Sequence, residues 1–292
     1  MPLPRGLPVV DHHCHLSPHG EGLRAVERFR AAGGTHLFLA TQNYEPTVPL
    51  SLEAYARQFE TTVQLAEKAL DEVRVRVYPV IAPYPIDLVG ASARIGPTAA
   101  LELYRSALDL AGRWIREKKA VALGEVGRPH FPVPPEVSAV VEPAFRHALE
   151  VARDSDCPVV VHSADLTEAG FFELSERARE VGLRPERVIK HYTRSPVEMS
   201  ARGAVVPSYL ARRDLVREVS SSPGPWFLET DFLDDPKRPG AVLDLATVPR
   251  RAAAILSRDP AGGAERLYVP FVESVEKVYG WRPEVDSEGF AK

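Results

Sequence analysis

Val9-Val10-Asp11-His12-His13-Cys14-His15-Leu16 is the stretch on which the fold turns. It opens as an apolar, β-branched run and passes straight into three histidines. Extended backbone sends successive side chains to opposite faces, so His13 and His15 are expected on one face and His12 and Cys14 on the other. Two imidazoles on one face can grip a cation, although a His-x-His pair also arises by chance.

The same pattern, a short apolar run ending in a polar group, recurs along the chain. Strands are expected near Pro8–His12, Thr35–Ala40, Val73–Ile81, Ala120–Glu125, Pro158–His162, Arg187–His191, Ala204–Pro207 and Trp226–Asp231. Longer segments with helical periodicity separate them: Glu21–Ala32 stopping at Gly33-Gly34, Ser51–Glu72 with Ser51 as N-cap, Pro97–Lys118, Val137–Arg153, and Thr167–Val181 closed by Gly182. Ser195-Pro196-Val197-Glu198 reads as a capping box that starts a helix after the sixth strand. Eight such units predict an α/β fold, a TIM-type (β/α)8 barrel forming a single domain over residues 1–292. The polar tail from Trp281 to Lys292 reads as a loose extension, and the Pro- and Tyr-rich connections after strands two, three and four as lids.

Composition narrows the function. The 292 residues are 45% hydrophobic and 26% charged, enough for a sizeable core. Met-Pro-Leu-Pro-Arg-Gly has no leader-like apolar core, no stretch approaches membrane-span length, and Cys14 and Cys157 are the only thiols. A cytoplasmic protein with neither a disulfide framework nor a thiolate zinc site is expected. The net charge of −4 gives no support to non-specific nucleic-acid binding.

In a barrel of this kind the chemistry lies where strands run into their following loops. His13, His15, Glu125, His162, His191 and Asp231 all fall there. Buried carboxylates and imidazoles are costly unless paired or metal-bound, and six converging on one mouth point to a metal site. With nitrogen and oxygen donors only, Zn²⁺ or Mn²⁺ is favoured, with Mg²⁺ possible.

Asp-x-His-x-His on the first strand, Gly124-Glu125-Val126-Gly127 on the fourth, Val161-His162-Ser163 on the fifth, His191 on the sixth and Glu229-Thr230-Asp231 on the eighth resemble, in that order, the TatD-type hydrolases of the amidohydrolase superfamily. The likeness spans nearly the whole chain, to the helix Phe271–Tyr279. It implies two divalent ions: His13, His15 and Asp231 on one, His162 and His191 on the other, Glu125 bridging, and Asp231 also working on the attacking water. Two departures stand out. Ala164 stands where those enzymes usually carry an arginine, and His191-Tyr192-Thr193-Arg194-Ser195 replaces their usual turn.

The substrate is expected to be a phosphodiester or other phosphate-bearing molecule, a small molecule or a short nucleic-acid end. An amide, lactone or other carboxyl derivative is the alternative, and a catalytically silent metal-binding scaffold a third. Arg128, His130 and Arg194 are the candidate substrate anchors, a loop salt bridge being an equal reading of Arg128. Glu229 is in phase with Asp231 and suits orientation of a ligand histidine. Lys190 should face the helices, His12 and Cys14 should share the outer layer, and Tyr44, Tyr84 and Tyr192 should lie in mouth loops. His19, His36 and His147 have no partners in the pattern, and no protein or membrane partner is implied.

Overall fold

The computed structural model describes residues 6–235, 237 and 242–291. Residues 1–5, on which most of the leader argument rests, and Lys292 at the tip of the tail lie outside them. In chain order the elements are β1 (Val10–His15), α1 (Leu23–Ala31), β2 (His36–Ala40), α2 (Leu52–Lys68), β3 (Arg76–Ile81), α3 (Pro85–Ile95), α4 (Pro97–Arg116), β4 (Ala122–Gly127), α5 (Pro135–Asp154) and β5 (Val159–His162). Then follow α6 (Glu168–Glu180), β6 (Val188–Thr193), β7 (Val206–Leu210), α7 (Arg213–Val219), β8 (Phe227–Glu229), β9 (Phe232–Leu233), α8 (Thr247–Arg258), α9 (Pro260–Tyr268) and α10 (Ser274–Tyr279).

All pairings are parallel and follow chain order from β1 to β8. Only Thr230 and Asp231 separate β8 from β9, and β9 pairs back onto β1 through Cys14 with Phe232 and His15 with Leu233. The nine strands thus form the TIM-type barrel that the βα rhythm predicts. Local signals hold where they have a backbone reason. Ser51 Oγ accepts from Ala54 N at the start of α2, and Gly33 and Gly182, at φ 100° and 77°, end α1 and α6.

Apolar residues sort by face. Val10, Phe38, Val80, Ala122, Val160, Ile189 and Val206, one from each of seven strands, belong to one buried cluster inside the barrel. Their chain neighbours Leu37, Leu123, Val159, Val161 and Val188 pack outward with the helices. Burying both faces of a parallel sheet is what the near-continuous apolar runs encode.

Four expectations are corrected. No helix follows β6: residues 199–204 are turns, Gly203 has φ 56°, and the Val197 amide donates to the Tyr209 hydroxyl (3.1 Å), so the supposed capping box serves a tight return to β7. The connection after β3 is not a simple lid but carries α3, started by Pro85 with the Asp87 carboxylate accepting from Tyr84 N. The tail is not loose, for Trp281 stacks with Tyr78, Phe38 and Tyr279, Phe290 lies beneath Arg74 and Arg30, and Val285 bridges Ala291. Aromatic area and cation–π contact anchor a segment that its polarity alone would have left free.

The fourth correction concerns β1. Asp11 pairs with Leu37 and Cys14 with Leu39, so three steps on β1 oppose two on β2. His12 keeps the inward phase of Val10, stacked on Phe227 at 3.7 Å with its Nε2 2.9 Å from the Tyr279 hydroxyl, and the β-bulge shifts the phase after it, so that Cys14 falls in the outer layer. His13 and His15 lie beyond the extra residue and remain in phase.

Candidate metal centre

The bulge on β1 recurs on β4 and β6, while β5, which carries His162, runs in regular register with β6. On β4, Gly124 pairs with Val160 and Val126 with Val161, leaving Glu125 as the extra residue. On β6, Lys190 pairs with Pro207 and Thr193 with Tyr209, an extra residue at His191-Tyr192. Asp231, at φ 49°, occupies the break between β8 and β9. Each departure from regular pleating re-aims a side chain to the barrel axis, a common use of bulges beside functional sites.

Three ring nitrogens surround one oxygen. Glu125 Oε1 lies 2.8 Å from His191 Nε2, 2.9 Å from His13 Nε2 and 3.7 Å from His162 Nδ1. Asp231 Oδ1 is 3.8 Å from the Nε2 atoms of both His13 and His15, themselves 3.3 Å apart. Three compact donor groups result: His13, His191 and Glu229 form one, and the other two are His13, His15, Glu125 and Asp231, and Glu125, His162 and His191. Glu125 belongs to the last two.

Two observations test whether a cation fits. Glu125 Oε1 is buried and has no correctly directed hydrogen-bond donor despite its nitrogen neighbours, so these atoms share a centre instead of pairing off. The negative charge of Glu125, Glu229 and Asp231 also meets no Arg or Lys ion pair among the described residues. Burial alone would depress the His191 imidazole, but Glu125 and Glu229 raise it to about 10, a proton standing where positive charge is wanted. Burial pushes Asp231 up to about 7, against the pull of His191 and His13. Burial likewise opposes ionisation of Glu125, yet His191 and His13 hold it well below the usual carboxylate range. His15 has no such excess of carboxylates, and burial drives it down to about 4. The donor set fits hard or borderline divalent cations.

Around this centre, outer groups face the far nitrogens of the rings. His15 Nδ1 is 3.2 Å from Ala40 O, His191 Nδ1 is 3.6 Å from Glu229 Oε1, and His162 Nε2 is 2.9 Å from His130 Nδ1. Glu229 Oε1 also accepts from Tyr192 N at 2.7 Å, which fixes the carboxylate behind His191. Lys190 pairs with the outward-packed Val161, on the face expected of a residue out of phase with His191. It is buried, and its ammonium turns up to donate to the carbonyls of His191 and Ser163, bracing two strand ends.

The centre opens into a cavity of about 930 Å³. His130 and Arg194 line it, but Arg128 does not: its guanidinium is held by Glu142 and Glu173, above the ring of Phe145. Arg194 is itself engaged by Asp165 at 3.3 Å. Tyr44 and Tyr84 lie on the wall as expected of mouth loops, and Tyr192 reaches it from the end of β6 instead of from a loop. His19, Gln42, Asn43, Glu45 and Asp235 line it too and carry no motif that marks them in the sequence, although 41–45 directly follow β2 and so occupy the positions where a barrel presents substrate contacts.

Fold and donor set together define a metal-dependent hydrolase of the barrel type. Residues 10–279 match the family model described as TatD related DNase, and the chain belongs to that family. It is 30% identical over 279 residues to the Uncharacterized protein MJ1127 of Methanocaldococcus jannaschii, covering 94% of this chain and 96% of that one. Among solved structures it resembles the TatD-like protein AF1765 of Archaeoglobus fulgidus, with a TM-score of 0.62, 14% identity, and 93% and 100% of the two chains covered. The TatD homolog YJJV of Escherichia coli k12 gives a TM-score of 0.62 at 20% identity, covering 94% and 98%. These two likenesses concern the fold. Among the described residues no helix is long and apolar enough to cross a membrane.

Proposed function

We propose that the chain hydrolyses a phosphodiester or other phosphate-bearing substrate at a pair of divalent cations, zinc or manganese by the preference of its donors. The observation that carries this reading is the position of Glu125 Oε1, within 2.9 Å of both His13 and His191 and so common to two of the donor groups. His13, His15 and Asp231 would hold one cation, His162 and His191 the other, and Glu125 would bridge. Such a pair supplies a water acidified to near neutrality and a clamp on the attacked and leaving oxygens. Asp231, partly open to the cavity, is placed to orient that water and accept its proton. Glu229 and Ala40 O keep the rings of His191 and His15 turned inward.

A specific feature favours a second reading, hydrolysis of an amide, lactone or other carboxyl derivative. Arg128 is turned away and Arg194 is paired, while Glu45, Asp165, Asp234 and Asp235 line the wall against one further cation among the described residues, Lys237. An uncharged acyl substrate suits that wall better than a polyanion does. We keep the cytoplasmic setting, drawn from the two unpaired thiols Cys14 and Cys157, as part of the proposal.

Elemental analysis combined with a substrate panel tests both levels. Two ions per chain in the wild type, and fewer in Glu125→Gln, is the expected result, and two fully retained ions in the variant would remove the bridge. Turnover of a chromogenic phosphodiester supports the first reading. Turnover confined to amides or lactones supports the second, and full metal with no turnover on any of them would leave only a binding role.

A further inference from the structure

His130 lies on the cavity wall, where the sequence suggested a substrate anchor, but its ring is spoken for. His130 Nδ1 is 2.9 Å from His162 Nε2, and the other nitrogen of His162, Nδ1, faces Glu125 and is 3.2 Å from His191 Nε2. A neutral imidazole carries one ring proton. If Nδ1 is to offer a lone pair to a cation, that proton must be on Nε2, and an acceptor opposite Nε2 selects that form.

The backbone repeats the same grip. Gly127 pairs with His162 in the sheet, and Arg128 N donates to His162 O at 2.9 Å. Gly127 has φ 133°, and a Cβ there would meet His162 O at 2.2 Å, so only glycine lets the turn close on this carbonyl. The Arg128 side chain, fastened to Glu142 on α5 and Glu173 on α6, secures the turn from outside. One four-residue turn therefore holds both the main chain and the ring of His162.

We propose that His130 is a positioning residue for the second cation, acting through His162 by fixing its ring orientation and its Nε2-protonated tautomer. The proposal rests on the two-cation reading above. Its test is competition of Zn²⁺ between the protein and a chromophoric chelator, without substrate. The wild type should bind two ions, and His162→Ala identifies which of them depends on that ring. His130→Ala should weaken that ion about 10- to 100-fold and leave the other unchanged, the usual range for losing an orienting partner. His130→Asn should restore affinity to within a few-fold, because its Oδ1 occupies the place of Nδ1 and still accepts. The unchanged first ion reports that the variants are folded. A wild type with two ions whose His130→Ala variant keeps both affinities overturns the positioning role alone. A wild type that binds a single ion overturns the two-cation reading and the proposal with it.

Discussion

Asp11 and Thr230 are joined twice: the threonine hydroxyl donates to Asp11 Oδ2 at 2.6 Å and its amide to Asp11 Oδ1 at 3.0 Å. The pair ties the first strand to the residue just before Asp231, so the seam of the barrel and one half of the metal centre share a fastening. The amide of His13 also donates to Asp11 Oδ1, at 3.2 Å. Asp11→Ala leaves these three buried donors unpaired and should destabilise the fold by at least roughly 3 kcal/mol, at roughly 1–3 for each group left unsatisfied. Asp11→Asn should be far milder, since its amide carbonyl accepts and the threonine hydroxyl can reverse its role. Urea unfolding of the two variants decides the matter, and equal stability would dismiss the fastening.

Asp231→Asn, assayed with saturating metal on whichever substrate the wild type turns over best, should lose about 10²–10⁴ in kcat, the usual worth of a positioned general base. A variant with restored metal and near wild-type kcat would show that the carboxylate does nothing to the water.

Arg128→Ala should lower stability by roughly 1 kcal/mol, the worth of a partly exposed ion-pair network, and leave KM unchanged. An unchanged melting temperature with a tenfold rise in KM would make Arg128 a substrate anchor after all.

Asp87, near the start of α3 and remote from the metal centre in sequence, is pushed up to about 7 by burial, partly offset by the Tyr84 amide. Because the folded value exceeds the unfolded one, the folded state holds its proton more tightly. Its stabilising effect is complete below about pH 4 and is lost as pH rises through about 7. Asp87→Asn, which cannot ionise, should gain on the wild type between about pH 5 and 8 by as much as about 3 kcal/mol, at about 1.4 kcal/mol for each tenfold change in proton affinity. A stability difference that stays flat over that range would mean the carboxyl titrates normally.

Much of this molecule is readable from its sequence, and the reason is geometric. A parallel barrel buries both faces of each strand, so strands appear as apolar runs, and the groups that meet at the mouth appear as the polar residues at strand ends. His162, His191 and Asp231 are visible for that reason. What escapes is everything that depends on an extra residue or a distant partner. Alternation counted back from His13 and His15 puts His12 outside, because the β-bulge that separates their phase from that of Val10 leaves no mark in the residue pattern. Arg128 looks like an anchor because Glu142 and Glu173 lie 14 and 45 residues further along the chain. Ser195-Pro196-Val197-Glu198 has helix-starting chemistry, yet the Tyr209 hydroxyl and the short span to β7 decide otherwise.

The rings that fill the barrel below the metal centre, His12 on Phe227 and then Phe38, Tyr279 and Trp281, form a continuous aromatic layer among the described residues. Packed rings at that end make the cavity mouth the expected route in both directions. Water and product leave by the opening that admitted the substrate, so each turnover must clear the mouth before the next can begin, and the residues at that mouth govern exit as much as entry.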